Sequence, residues 1–342
     1  MGAVLKNKGD FARALQYYDK ALQLDIKNYG ENHPEVARRY HNIGSALGSK
    51  GEYDKAAEYH AKALRIGLKT LGEVHPDVAT YYSSLGNDAA QVHNYAKAEE
   101  YHQKALAIEQ KVYGENHPDL AIRYGNLGSI ATATGNHDKA IQYFEKALQI
   151  GMKAYGEFHP RNSTRYNNLA GAWEKKGDRA KAIEYYEKAL KIAQKTLGAK
   201  HPDVAIKYSN LALTLQNQGD FDKAIEYSKA ALSIWEAGQD RHGYLVGMSN
   251  LGEIYNKAKR YPEASAIYAQ LIRQLLRYRF ELSGEKSSFT ARYAHYFFRA
   301  MIIELMQKNF ERMFEYDSLR RGLSLAEALS LKDALAQGGV SP

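Results

Sequence analysis

Apolar and polar positions follow each other at helical spacing along most of the chain, and the whole pattern returns every 42 residues. Tyr40, Tyr82, Tyr124, Tyr166 and Tyr208 each stand four residues before a small one, Gly44, Gly86, Gly128, Ala170 or Ala212. Residues four apart share a helix face, so each segment offers a ring and a notch on one side. A second segment follows each of these, with Ala56, Ala98, Ala140, Ala182 and Ala224, then Ala63, Ala105, Ala147, Ala189 and Ala231. Helix axes pack about 8 to 10 Å apart, and small residues set the tight end of that range. The pattern predicts pairs of helices that cross closely.

The breaks between segments keep the same step. His-Pro recurs at His33-Pro34, His75-Pro76, His117-Pro118, His159-Pro160 and His201-Pro202, each pair preceded by Gly30, Gly72, Gly114, Gly156 or Gly198. Such register over five copies is an internal repeat. Proline suits the first helical position, and Glu35, Asp77, Asp119 and Asp203 follow where a carboxylate favours a helix start. First helices are therefore predicted from each Pro to the turns at Gly51, Gly135, Gly177 and Gly219, and second helices from there to the next Gly-x-x-His-Pro. The third copy departs with His93 in place of the turn glycine and Ser84 in place of an asparagine. The fifth opens with Arg161-Asn162-Ser163 where others carry an acid and an alanine.

Residues 1–8 read as the end of a first helix, Gly2 standing in register with Gly44, so the chain starts inside a hairpin. That is expected of a fragment of a longer protein or of a degenerate first copy. The period breaks after Trp235, one more hairpin follows around Asn250-Leu251-Gly252, and an aromatic-rich helix over 287–307 and a final helix over 310–336 end the chain. The expected division is a repeat array over 1–282, a partial hairpin and about six more, and a degenerate capping hairpin over 283–342.

Tyr, then Leu/Ile-Gly/Ala, then two spaced alanines resembles the tetratricopeptide repeat, and the long unit with its Gly-x-x-His-Pro link resembles the kinesin light chain subtype, from Gly9 to about Lys259. The resemblance implies an all-α fold, a right-handed superhelical solenoid of hairpins, and a role in binding protein. The segment Phe314-Glu315-Tyr316, Arg320-Arg321 and Leu323 to Leu329 resembles the helix that ends the repeat array in bacterial CHAT proteins, which are caspase-like. That implies a protease domain in the parent chain beyond Pro342.

Composition narrows the classes. Cysteine is absent, which removes disulfides, thiolate metal sites and a cysteine nucleophile, and fits a reducing compartment. No run approaches the roughly 18 apolar residues of a membrane span, and the start lacks a secretory core, so a cytoplasmic protein is expected. The net charge is +8, with 15 Lys and Arg against 10 Asp and Glu in 241–342. Because those charges interleave on helices they read as a solvated face, and nucleic acid is not an expected partner. Lys55, Lys181 and Lys223 read as pairing with Glu58, Glu184 and Glu226, three residues on. The five repeated histidines would stand about 8 to 10 Å apart, too far to share a zinc ion, and read as helix-start residues. No catalytic constellation, cofactor motif or metal site is found.

The candidate site is a row of amides. Asn42, Asn126, Asn168, Asn210 and Asn250 stand two residues before the small position, with Asn87 one residue after it in the third copy. In the family that it resembles, this face of the first helix lines a concave groove. An amide both donates and accepts, so a row of them can hold the backbone of an extended peptide. The competing reading makes the asparagines ties between stacked helices. Selectivity would come from Arg38, Lys175 and Lys257 meeting acidic side chains. Two functions are therefore expected: capture of an extended peptide or protein, as the regulatory arm of a larger bacterial protein, or a structural spacer or oligomerisation scaffold without a peptide ligand.

Overall fold

The computed structural model describes residues 1–281 and 289–329, and regular structure among them is α-helical throughout. It divides into two units, Met1–Tyr185 and Tyr186–Pro342. The first holds α1 (Gly2–Asn7), α2 (Phe11–Tyr29), α3 (Pro34–Lys50), α4 (Tyr53–Leu71), α5 (Pro76–Gln91), α6 (Tyr95–Tyr113), α7 (Leu120–Ala133), α8 (His137–Tyr155), α9 (Pro160–Lys176) and the start of α10 (Arg179–Leu197). The second takes the rest of α10, then α11 (Pro202–Gln218), α12 (Phe221–Ala237), α13 (Arg241–Lys257), α14 (Tyr261–Glu281), α15 (Phe289–Met306) and α16 (Phe310–Leu329). The last residues of the expected final helix, 330–336, lie outside the described residues.

Within each unit, neighbours in sequence pack as hairpins, α3 on α4, α5 on α6 and α7 on α8 in the first, α11 on α12, α13 on α14 and α15 on α16 in the second. Each hairpin then packs on the next through its second helix, as α4 does on α5 and α12 on α13, while first helices lie side by side, as α3 and α5 do. These are the stacked hairpins of the solenoid that the resemblance implies.

The recurring histidine is the cap of its helix. His33, His75, His159 and His201 sit in extended backbone, and their Nδ1 atoms accept the N–H groups of Glu35, Asp77, Arg161 and Asp203 at 3.1–3.2 Å. An imidazole thus does the work that Ser or Asp usually does for the orphan N–H groups of a first turn. His33, His117 and His159 also stack on the tyrosine four residues before, Tyr29, Tyr113 or Tyr155, with ring centroids 4.4–4.6 Å apart. The fourth copy differs from expectation: α7 begins at Leu120 rather than at Pro118. Its first bonds are tighter turns, Ala121 N–H to Pro118 O and Ile122 N–H to Asp119 O, so the α-helical pattern starts two residues later.

The notch on each first helix has a partner sixteen residues on. A Cβ at Gly44 would come within 2.6 Å of the His60 ring, one at Gly86 within 2.8 Å of His102, and one at Gly128 within 2.6 Å of Phe144. Gly252 meets Tyr268 in the same way at 2.8 Å, and Gly2 meets Tyr18 at 2.8 Å, which puts α1 in the register of a first helix. Ala300 and Tyr316, both buried, keep the sixteen-residue spacing in α15 and α16.

Two local expectations change. Lys55, Lys181 and Lys223 turn back onto the acids that precede their helices, Glu52 at 2.7 Å, Asp178 at 3.9 Å and Asp220 at 3.5 Å. Asp178 and Asp220 are already fixed there, each accepting the lysine's own backbone N–H. His93 takes the left-handed turn that Gly51 and Gly135 take, at φ 59, and its Nδ1 lies 2.8 Å from the Tyr95 hydroxyl. A non-glycine residue there costs roughly 1–2 kcal/mol, part of which this bond offsets.

Candidate functional site

The side-by-side first helices put the predicted amides in register. In the first unit Asn42 on α3, Asn126 on α7 and Asn168 on α9 are half-buried and Asn87 on α5 is exposed. The Asn126 amide donates to the Asn87 carbonyl oxygen at 3.5 Å, a long bond that brings these two together across adjacent repeats. Asn42 and Asn168 make no side-chain hydrogen bond among the described residues, and their polar atoms are not sealed from solvent. In the second unit Asn210 on α11 and Asn250 on α13 are half-buried at the same register.

The three cations fare differently. Lys175 and Lys257 are exposed near the ends of α9 and α13. Arg38 is exposed but engaged, its guanidinium donating to Glu35 at 2.9 Å and to Asp77 of the next repeat at 3.4 Å, and those carboxylates hold its pKa above the ordinary arginine value. Apolar side chains join the row unforeseen. Ile122 and Ile206, 46% and 43% exposed, stand four residues before Asn126 and Asn210. That spacing was the available signal, since it puts an isoleucine and an amide on one face.

Behind the row, the junctions between repeats are built from residues fourteen apart. Asp25 accepts from Arg39 at 2.7 Å, and Glu109 takes Arg123 in a forked pair at 2.9–3.1 Å while a further guanidinium nitrogen donates to the Ser83 hydroxyl at 2.6 Å. Where the acid is replaced by Gly67, the partner is Tyr81, whose ring would stand 3.0 Å from a Cβ there. Glutamine and tyrosine repeat the theme one residue on, Gln110 with Tyr124 at 3.2 Å and Gln194 with Tyr208 at 2.8 Å. These pairs fix how far each first helix advances on its predecessor.

Two histidines stand by the row, His41 half-buried and His102 buried. Burial, with His60 and Lys6 nearby, lowers the His41 pKa to about 4, and burial beside Arg123 lowers that of His102 to about 4. His60 meets Asp88 at 2.6 Å, but its Nε2 faces the Gly44 backbone, so the pair ties two repeats and has no nucleophile to activate. Among the described residues no three His, Asp or Glu side chains converge as a metal site, and no helix is long and apolar enough to cross a membrane.

A family profile described as tetratricopeptide repeat matches residues 1–69, 40–106, 77–153, 124–195 and 203–276. Among solved structures, BtubC (BKLC) from P. vanneervenii is 24% identical, with a TM-score of 0.59 over 68% of this chain and 92% of its own. A candidate kinesin light chain of Podosopora anserina with nearly identical TPR-like repeats is 25% identical, with a TM-score of 0.55 over 61% of this chain and 99% of its own. The Pyrococcus horikoshii STAND protein with a tetratricopeptide repeat sensor is 18% identical, with a TM-score of 0.64 over 98% of this chain and 49% of its own. No curated protein sequence matches significantly. The matched segments run through well over half of the chain, and with the hairpins, notches and junction pairs above they make it a member of the tetratricopeptide repeat family.

Proposed function

We propose that this chain captures an extended peptide or an extended segment of a protein along the face that the first helices form within a unit. Tetratricopeptide repeats generally mediate protein–protein interaction and serve as non-enzymatic scaffolds. The observation that carries the finer reading is that Asn42 and Asn168 hold solvent-reachable amides at one register with no hydrogen-bond partner among the described residues. A tie between helices would have consumed those groups. With Arg38 already paired, selectivity falls to Lys175 and the exposed Ile122 in the first unit, and to Lys257 and the exposed Ile206 in the second. Panning a library of displayed unstructured peptides tests this. At a net ~1 kcal/mol per hydrogen bond, Asn42→Ala with Asn168→Ala is expected to weaken the enriched peptides by roughly tenfold or more, with the melting temperature unchanged. Undiminished binding by the double variant would remove the amides from the site.

A second reading has its own observation. Phe298, Ile302, Leu305 and Met306 lie 47–54% exposed along α15, which would serve an oligomerisation scaffold. Sedimentation across a range of concentrations is then expected to show a self-associating species that Ile302→Glu abolishes; a monomer throughout rejects it. In either reading the array extends over 1–282, α15 and α16 form its capping hairpin, and the protein works in the cytoplasm. The resemblance of 314–329 to bacterial CHAT proteins supports a role as the regulatory arm of a caspase-like protease, and a Cys-His protease domain in the same parent chain is the observation that tests it.

A further inference from the structure

The junction between α8 and α9 has the opposite charge from those at α2–α3, α4–α5 and α6–α7. At the α2–α3 junction three register positions hold Asp25, Glu35 and Arg39, and at the α6–α7 junction they hold Glu109, Asp119 and Arg123, the arginine pairing with the first acid in each. Each set has two acids and one cation. At the α8–α9 junction the same three positions are Gly151, Arg161 and Arg165. Both acids are gone, and one is replaced by a second arginine.

The geometry shows what the arginines do without them. Arg165 is 8% exposed and lies over Gly151, where a Cβ would come within 2.8 Å of its Nη1. Its recorded hydrogen bond goes to a neutral group, the Asn162 Oδ1 at 3.1 Å. Asn162, itself fully buried, is held by the Gly156 carbonyl at 2.7 Å, so the amide cannot swing away. Arg161 is exposed, stands one helical turn before Arg165, and sits 5.8 Å from the Tyr155 ring with a long bond of 3.5 Å to the hydroxyl. Neither arginine forms an ion pair among the described residues.

A buried cation without a counter-charge is costly, and the usual remedy is a paired anion. The start of α9 adds to the same sign, because its first-turn N–H groups carry the positive end of the helix dipole. In α3, α5 and α11 a carboxylate at the second helical residue offsets that end, as Glu35, Asp77 and Asp203 do, whereas here Arg161 reinforces it. We propose that the α8–α9 junction is a binding site for an oxyanion, a phosphate or a carboxylate group carried by a ligand. Arg161 is its accessible contact, and Arg165 with the α9 terminus supplies the field behind it. A planar guanidinium takes either group in a fork of two hydrogen bonds, so the shared chemistry is the oxyanion.

The test uses the whole chain and two probes, inorganic phosphate and acetate, titrated calorimetrically with ionic strength held constant by sodium chloride. Saturable binding of one anion per chain is expected. Arg161→Asp restores the acid that sister repeats carry, so the variant is expected to fold and melt no lower than the parent, and to bind the anion at least tenfold more weakly. Phosphate binding without acetate binding assigns the site to phosphoryl ligands, and binding of both assigns it to carboxylates as well. An absence of saturable binding with either probe, or equal binding by parent and Arg161→Asp, overturns the proposal. Neither outcome depends on the asparagine row.

Discussion

Replacing Glu109 with alanine is expected to cost about 3–5 kcal/mol, more than any other single truncation of an interaction described above. Glu109 is 4% exposed and takes the Arg123 guanidinium in a fork from α6 to α7, with both side chains largely out of water. Removing the acid leaves Arg123 buried with one hydroxyl partner, Ser83, and with burial costs that the lost carboxylate had offset. Because each hairpin touches only its neighbours, the loss falls on one junction. Chemical denaturation is therefore expected to broaden or split into two transitions as the repeats on either side of α6 and α7 uncouple. Asp25→Ala is the control. Arg39 is one-third exposed, so solvent takes up much of the charge and the cost is expected near 1 kcal/mol. Glu109→Leu combined with Arg123→Met should recover most of the loss, since an apolar pair of similar volume replaces the ion pair. A sharp transition in Glu109→Ala at the parent midpoint would show the pair to be energetically idle.

That pair also marks where sequence reading stops. The 42-residue step, the notches and the helix starts were legible because each is carried by a residue type that backbone geometry demands, glycine or alanine at close crossings and proline at the first turn. The partners of the notches were not. Gly44, Gly86, Gly128 and Gly252 face His60, His102, Phe144 and Tyr268, so the constraint is a ring of any chemistry sixteen residues on. The junction partners vary further, from Asp25–Arg39 to Gly67–Tyr81, because size or charge can satisfy the same space. The last hairpin was read as degenerate for a related reason. Gly252 and Ala300 stand 48 residues apart rather than 42, but Ala300 and Tyr316 keep the internal spacing. Of the candidate site, the asparagine register was visible as periodicity, while the engagement of Arg38 with Asp77 needed the stacking of two repeats.

Acidification from pH 6.5 to 4 is expected to remove up to about 3 kcal/mol of stability for each of His41 and His102. Both are neutral in the folded chain, with pKa values pushed down to about 4 by burial, against an ordinary value of 6.5. Above pH 6.5 neither the folded nor the unfolded form holds the extra proton, so the full stability is present. Between 6.5 and 4 the unfolded chain binds protons that the folded chain refuses, and stability falls by about 1.4 kcal/mol per pH unit for each histidine. Below 4 the folded form protonates too and the loss levels off. Neighbouring charge separates the two sites: His41 packs on the His60 ring at 5.2 Å, with Lys6 opposing its protonation and Asp77 favouring it, whereas His102 has Arg123 beside it. The repeats supply a substitution that keeps the packing. His102 fills the notch at Gly86 as Phe144 fills the notch at Gly128, so His102→Phe preserves the contact and removes the titration. Urea midpoints across this range should fall about half as steeply in His102→Phe as in the parent. Equal slopes would mean that His102 already protonates in the folded chain, and that water reaches the Gly86 notch.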